Sequence, residues 1–427
     1  MRKLLHPLVI LFTLLPIAAL AQEVELNEEE MAMNTWLDQQ ERQMVAMVER
    51  LANINSGSLN RNGLSEVASI LSRELTTLGF TISSLPGRVI EMPSCPGSNL
   101  VLDLSDHVLA RRAGLASGTR LLLMGHMDTV FPPESPFQTA RQQGENLAGP
   151  GVSDMKGGLV VMLYALRALN EEGLLDGQAI SVLLNSDEEV GSLSSRSYIE
   201  TQAGQHDYGL VFEPSGGNTM IRGRKGLGQA RMVVNGRASH SGAAHEDGRS
   251  AIRELAYKII ELENMTDYET GVTVNVGIVN GGEARNTVSP CAEAYVDLRY
   301  PEPEQGTTAE QQFQEISDTI YSYPGSDELS AETWVQLHRP PKIPTEESDH
   351  LLNRTIAIGK LLGQEFNISD SGGGTDGSLS QAAGLPTLDS LGVSGSGNHS
   401  DREQANVSSL VERAKLSAIL IKRLLEE

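Results

Sequence analysis

Cysteine is scarce in this 427-residue chain, which contains only Cys95 and Cys291. Two cysteines in a chain of this size exclude a disulfide-built scaffold. They fall in different predicted units, so both are expected to be free thiols, and neither is expected to bind metal. Basic residues are also in deficit, with 33 Lys and Arg against 56 Asp and Glu and a net charge of −23. That balance argues against nucleic acid and against a polybasic membrane surface, because both need a basic face. It reads instead as solubility. There is no internal repeat and no low-complexity linker. Beyond the N-terminus, no apolar run is long enough to cross a bilayer.

The N-terminal apolar run is itself short, from Leu8 to Leu15 with Thr13 inside it. Arg2 and Lys3 precede it, and Ala19-Leu20-Ala21 supplies a small-x-small cleavage site. This pattern is a signal peptide, residues 1–21, cut after Ala21. No Cys follows to carry a lipid, so no membrane anchor is expected. The mature protein is expected to be periplasmic or secreted.

The composition is 39% hydrophobic and 21% charged, that of a soluble globular protein. A single core stops growing near about 250–300 residues, so two domains are expected. Helices are predicted from Thr35 to Ile54 and from Leu64 to Leu78, the second on the spacing of Leu64, Val67, Leu71, Leu75 and Leu78. Apolar strands follow at Leu121 to Met124, Ala179 to Leu184 and Gly209 to Phe212, with an apolar helix from Leu159 to Leu169. Strands alternating with helices give an α/β layered domain, a mixed sheet flanked by helices. From Leu227 the rhythm changes. Strands at Gly228 to Val234, Gly271 to Val279 and Cys291 to Tyr300, with helices at Gly248 to Leu262 and Ala309 to Ile320, make a small α+β unit the size of one ferredoxin-like module. Helices resume at Glu347 to Leu362 and Val407 to Leu425. The predicted organisation is a discontinuous main domain, residues 22–224 and 337–427, with an inserted unit at 225–336.

Five potential metal-binding side chains sit at loop positions, several directly after apolar strands, where open α/β sheets gather ligand groups. His126 lies in Gly125-His126-Met127-Asp128, with Asp128 placed to hold the other ring nitrogen. Asp154 ends the turn Gly149-Pro150-Gly151-Val152-Ser153-Asp154 ahead of a buried helix. It reads equally as a helix cap, but the glycines suggest close backbone approach. Asp187, Glu188 and Glu189 are three consecutive acids that repel one another unless a cation is present. Glu213 follows another strand, and His399 lies in Gly397-Asn398-His399-Ser400-Asp401. Zinc accepts His nitrogen and carboxylate oxygen. Five such groups exceed what one ion needs and fit two ions sharing a carboxylate.

With these motifs assembled, the chain resembles the dizinc metallopeptidases that include aminoacylases, succinyl-diaminopimelate desuccinylase and carboxypeptidase G, and it looks closest to periplasmic glutamate carboxypeptidases. The likeness runs in order through "GHMDTV", "GPGVSDMKGG", "NSDEEVGS", "VFEP", "GRASHSGAAHEDGRSA", "SGGGTDGSLSQAAGLP" and "GNHSDREQAN". The resemblance implies a zinc-peptidase catalytic domain with an inserted ferredoxin-like domain that dimerises and acts as a lid. It implies two Zn2+ per subunit, with Co2+ or Mn2+ compatible with the same donors. His126 and Glu213 would hold one zinc, Glu189 and His399 the other, and Asp154 would bridge them. Asp128 would orient His126 and Glu188 would be the general base. The peptide after Asp154 is cis in relatives.

His240 would reach the partner subunit's site to stabilise the oxyanion, whereas His245 is expected in a loop. Arg339 and Asn286 would bind substrate, with Gly373 and Gly374 bringing backbone close to it. Arg339 would grip a free α-carboxylate through its planar fork. Arg299 reads as substrate-facing or structural, and Asp376 as loop support. Folate-cleaving relatives carry a Lys where Thr219 aligns; Arg222, Arg224 or Lys225 would have to replace it. The implied reaction is hydrolysis of a small peptide or N-acyl amino acid with release of a C-terminal amino acid, by a homodimer. The alternatives are an N-acyl-amino-acid deacylase or dipeptidase of the same family and, more remotely, a non-catalytic binding protein, which would be expected to have lost ligands.

Overall fold

The computed structural model describes residues 25–95, 99–115, 117–321, 323, 326 and 328–427. The expected signal peptide lies outside them. Among the described residues, no helix is long and apolar enough to cross a membrane.

The main unit is built on a six-stranded mixed sheet. Its strand order is Thr81–Leu85, His107–Arg112, Ala179–Asn185, Arg120–His126, Tyr208–Val211 and Thr387–Leu388. The first two strands run antiparallel to their neighbours, and the other four are mutually parallel. The parallel strands Arg120–His126 and Ala179–Asn185 are nearly continuous apolar runs, as strands covered on both faces must be. The helix Lys156–Glu171 is buried almost all round, packed among the N-terminal helices and the last helix, Ser408–Leu425. The expected single helix from Thr35 to Ile54 is two helices, Glu28–Leu37 and Glu41–Ala52. A capping box between Asn27 and Glu30 starts the first one early. The break at residues 38–40 lets Leu37 and Met44 both reach the core.

A second sheet of five short strands adjoins the first. Its order is Ser215–Gly216, Ser394–Ser396, Gln404–Asn406, Asn146–Ala148 and Arg141–Gln143. It matters more than its size suggests, because the loops of Asp154, Glu213 and His399 all leave from it.

The inserted unit is a four-stranded antiparallel sheet ordered Thr273–Gly281, Cys291–Tyr300, Gly226–Asn235 and Ser330–Arg339. With the helices Ala251–Glu263 and Pro303–Asp318 it has the βαββαβ order of a ferredoxin-like module. The last strand continues past residue 336 to Arg339. Arg224 and Lys342 exchange backbone hydrogen bonds of 3.2 and 3.0 Å where the two chain crossings meet.

The expectation of two free thiols is wrong. Cys95 and Cys291 form a disulfide, with Cα atoms 5.9 Å apart. A hairpin of Val89–Met92 and Leu100–Asp103 leaves the main unit, and Cys95, just past its first strand, meets the start of the inner strand Cys291–Tyr300 of the inserted sheet. There the Cys95 N–H and the guanidinium of Arg231 both donate to Glu293 Oε2, at 3.0 and 2.8 Å. Placing the two cysteines in separate units did not foresee an arm joining them.

Candidate metal centre

Each sheet delivers ligand candidates by a simple device. His126 is the last residue of its strand, while Glu188 and Glu189 follow Asn185, the last residue of the neighbouring strand. Glu213 lies between a central strand and a strand of the small sheet. Asp154 follows Asn146–Ala148, and His399 sits in the hairpin loop between Ser394–Ser396 and Gln404–Asn406. His399 holds a φ of 61°, a left-handed conformation that a non-glycine residue adopts at a cost. The Asp154–Met155 peptide is cis.

The five side chains converge. His126 Nε2 lies 3.3 Å from Asp154 Oδ1 and 3.6 Å from Glu213 Oε1. His399 Nε2 lies 3.3 Å from Asp154 Oδ2 and 3.2 Å from Glu189 Oε2. Asp154 therefore turns one oxygen to each histidine. Donors held tetrahedrally at about 2.0–2.1 Å from one ion stand about 3.3–3.4 Å apart, which these spacings match. The residues fit one divalent cation on each side of Asp154.

The supports are equally specific. Asp128 is fully buried, and its backbone oxygen lies 3.0 Å from His126 Nδ1. Its carboxylate accepts the backbone N–H groups of Glu188 and Glu189 at 3.2 and 3.1 Å, and the Ser58 hydroxyl at 2.7 Å. One aspartate thus positions a histidine and the two-glutamate loop together. Ser58 was not anticipated, since a lone serine after an N-terminal helix gives no signal.

The electrostatics are those of a cluster holding protons where cations would sit. Burial, together with the negative charge of Asp154, pushes Glu189 up to about 8. Burial also drives Glu213 well above the carboxylate range. Hydrogen bonds to Asp154 and Glu189 raise His399 to about 11. Burial opposes a charge on His126, yet the Glu213 carboxylate and the bonds to Asp128 and Asp154 keep its pKa well above the usual histidine range.

The centre opens into a cleft of about 510 Å³, a volume suited to a small ligand. Arg224, Arg299, Arg339, Gly373 and Gly374 line it. Arg339 turns onto Glu188: its Nη2 donates to Glu188 Oε1 at 2.6 Å and to the Ser192 hydroxyl at 3.0 Å. Asp376 Oδ1 stands 3.4 Å from the same Nη2, and the Asp376 carboxylate accepts bonds from Asn185 and Ser192. Arg339 Nη1 is buried without a hydrogen-bond partner among the described residues. Arg299 makes a two-point pair with its neighbour Asp297. Of the three cations considered to replace the missing lysine, Arg222 pairs with Asp349 and Lys225 donates to the Gly271 carbonyl. Only Arg224 lines the cleft, paired with Asp389 at 2.6 Å. His338 also lines it and was not anticipated; burial and the charge of Arg339 hold it well below the usual histidine range.

Asn286 and His240 do not line this cleft. They sit together in the inserted unit, where the Ser241 N–H donates to the Asn286 carbonyl. His240 is exposed, and its Nδ1 accepts the N–H groups of Gly242 and Ala243, both at 3.1 Å. With Nδ1 accepting, the neutral ring carries its proton on Nε2. His245 is exposed in a short helical turn.

Comparison with known proteins gives a consistent result. The model of peptidase family M20/M25/M40 matches residues 122–423. The chain is 31% identical over 386 residues to carboxypeptidase G2 of Pseudomonas sp. (strain RS-16), covering 88% of each chain. It is 30% identical over 324 residues to acetylornithine deacetylase of Proteus mirabilis (strain HI4320), covering 70% of this chain and 74% of that one. Its fold is similar to that of a tripeptidase from Staphylococcus aureus subsp. aureus mu50, with a TM-score of 0.69 at 22% identity, covering 91% of this chain and 99% of the other.

Proposed function

The chain belongs to peptidase family M20/M25/M40 and is an enzyme that hydrolyses peptide or linear amide bonds, and from that premise we propose that it is an exported two-zinc carboxypeptidase releasing a C-terminal amino acid from a small peptide or N-acyl amino acid. The observation that carries this reading is the split of Asp154, one oxygen 3.3 Å from His126 and the other 3.3 Å from His399. His126 and Glu213 would hold one ion, and Glu189 and His399 the other. Bound there, the cations would polarise the scissile carbonyl and lower the pKa of water at the centre.

The remaining steps belong to side chains. Glu188, not a ligand in this assignment, takes a proton from the attacking water and passes it to the leaving amine. Asp128 and Arg339 hold Glu188 in place from opposite ends, through its backbone N–H and its carboxylate. Arg339 Nη1, without a hydrogen-bond partner among the described residues, is a donor for the substrate's free carboxylate. Gly373 and Gly374 bring backbone to the cleft without side chains. Export is supported by the disulfide, which belongs to an oxidising compartment.

The inserted domain acts as a dimerising lid in this proposal. Exposed apolar side chains on its outer helix and edge strand, Ile252, Ile260, Ile278 and Val279, are surface that a second copy would cover. The Nε2 proton of His240 then meets the oxyanion in the partner's site.

The test is a substrate panel read by mass spectrometry. Dipeptides ending in Glu, Asp or a neutral residue would be run beside N-acetyl amino acids. Cleavage of the dipeptides at the C-terminal bond is expected; turnover of N-acetyl amino acids alone would make the enzyme a deacylase. Glu188→Ala should abolish turnover while keeping normal metal content. Wild-type activity in that variant would remove Glu188 from its role.

A further inference from the structure

The two loops that supply Asp154 and His399 are joined by a residue that belongs to neither metal cluster. Glu403 is 1% exposed, and its carboxylate oxygen Oε1 accepts the N–H of Ser153 at 2.9 Å and of Asp154 at 3.0 Å. Its backbone carbonyl accepts the N–H of Gly149 at 3.2 Å. Both ends of this residue thus grip the turn that carries Asp154. On its own side, Glu403 closes the turn of His399: its N–H donates to the Ser400 carbonyl, and the Ser400 N–H donates to the Gly397 carbonyl, both at 3.1 Å. That turn has no slack. A side chain at Gly397 would lie 2.4 Å from the Arg402 carbonyl oxygen.

A buried carboxylate is costly unless its oxygens are satisfied. Here it receives backbone N–H groups from the cis-peptide turn, groups that would otherwise lack acceptors. Asp154 must turn one oxygen to each histidine, so a small rotation of its backbone would detach one side. Resting on the two-metal reading above, we propose that Glu403 is a positioning residue: it fixes Asp154 against the His399 turn and thereby sets how tightly the metal pair is held. It does this as a hydrogen-bond acceptor at a defined place, not as a ligand.

The experiment measures Zn2+ affinity and stoichiometry by competition with a chromophoric chelator, and the absorption spectrum of the Co2+-loaded protein. The proteins are wild type, Glu403→Ala, Glu403→Asp and Glu403→Gln. Removing the support of a metal ligand weakens binding by roughly 10–100-fold, and that loss is expected for Ala. Asp keeps the charge but withdraws the acceptor by one methylene, so it should behave like Ala and shift the Co2+ spectrum. Gln keeps a carbonyl oxygen where Oε1 was and should restore affinity to near wild type. If Ala does not fold, the Asp and Gln pair decides the question. Wild-type affinity in Glu403→Asp, or equal losses in Glu403→Gln and Glu403→Asp, would overturn the inference while leaving the two-metal reading intact. A wild-type protein that binds no metal pair would overturn both.

Discussion

At the proposed metal centre, protons and metal ions would compete for the same atoms. His399 is raised to about 11 and Glu189 to about 8, so the metal-free protein holds protons on both at pH 7. A cation binds only the deprotonated forms. Loading the metal-free enzyme with Zn2+ should therefore release protons, and affinity should climb steeply as pH rises to about 8 and less steeply up to about 11. Calorimetry in buffers of different ionisation enthalpy counts the protons directly. Uptake without proton release would mean that these two residues are not ligands. The residues of the centre were legible because each follows a strand or closes a glycine-rich turn, positions with few purely structural uses for a cluster of acids. Ser58 and Glu403 were not, since their roles depend on loops far apart in sequence. Arg339 was legible as a cleft residue, but its bond to Glu188 was not, because nothing in a β-strand sequence says which way its last side chain turns.

At the scale of elements, the separation of Asp154 from Glu213 is set by a helix pressed on a strand. A Cβ at Gly158 would lie 1.8 Å from the backbone oxygen of Phe212, the residue before Glu213. Gly158, in the first turn of the helix Lys156–Glu171, is the glycine that this close approach requires. Gly158→Ala should cost about 1–3 kcal/mol by overpacking and weaken metal retention as Glu213 is pushed away. Gly204, with nothing nearer than 3.8 Å to an added Cβ, is the control. Urea unfolding with metal analysis separates the two variants; equal behaviour would mean that the helix yields without moving Glu213. The strands and long helices were readable from periodicity. The small sheet was not, because strands of two or three residues carry no period. The break at residues 38–40 was missed because apolar residues continue on both sides of it.

The whole molecule is a proposed pair of chains, each lending His240 to the other. Mixing Glu188→Ala with His240→Ala homodimers under subunit exchange should restore activity to about a quarter of wild type, since half of a random mixture is heterodimer and one of its two sites is intact. No recovery despite proven exchange would place His240 in its own chain's chemistry. The contact between the two units was the least legible feature of all, because a pairing of cysteines 196 residues apart leaves no local pattern. That crosslink governs what a proteolytic cut would do to the chain. His126, Asp154, Glu189, Glu213 and His240 all lie within the covalent ring it closes, and so does the exposed turn of the inserted unit at Tyr268, 87% exposed. A protease that nicks such a turn opens the ring once and frees no fragment: the severed strands stay tied through sulfur, and only a reductant would let them separate.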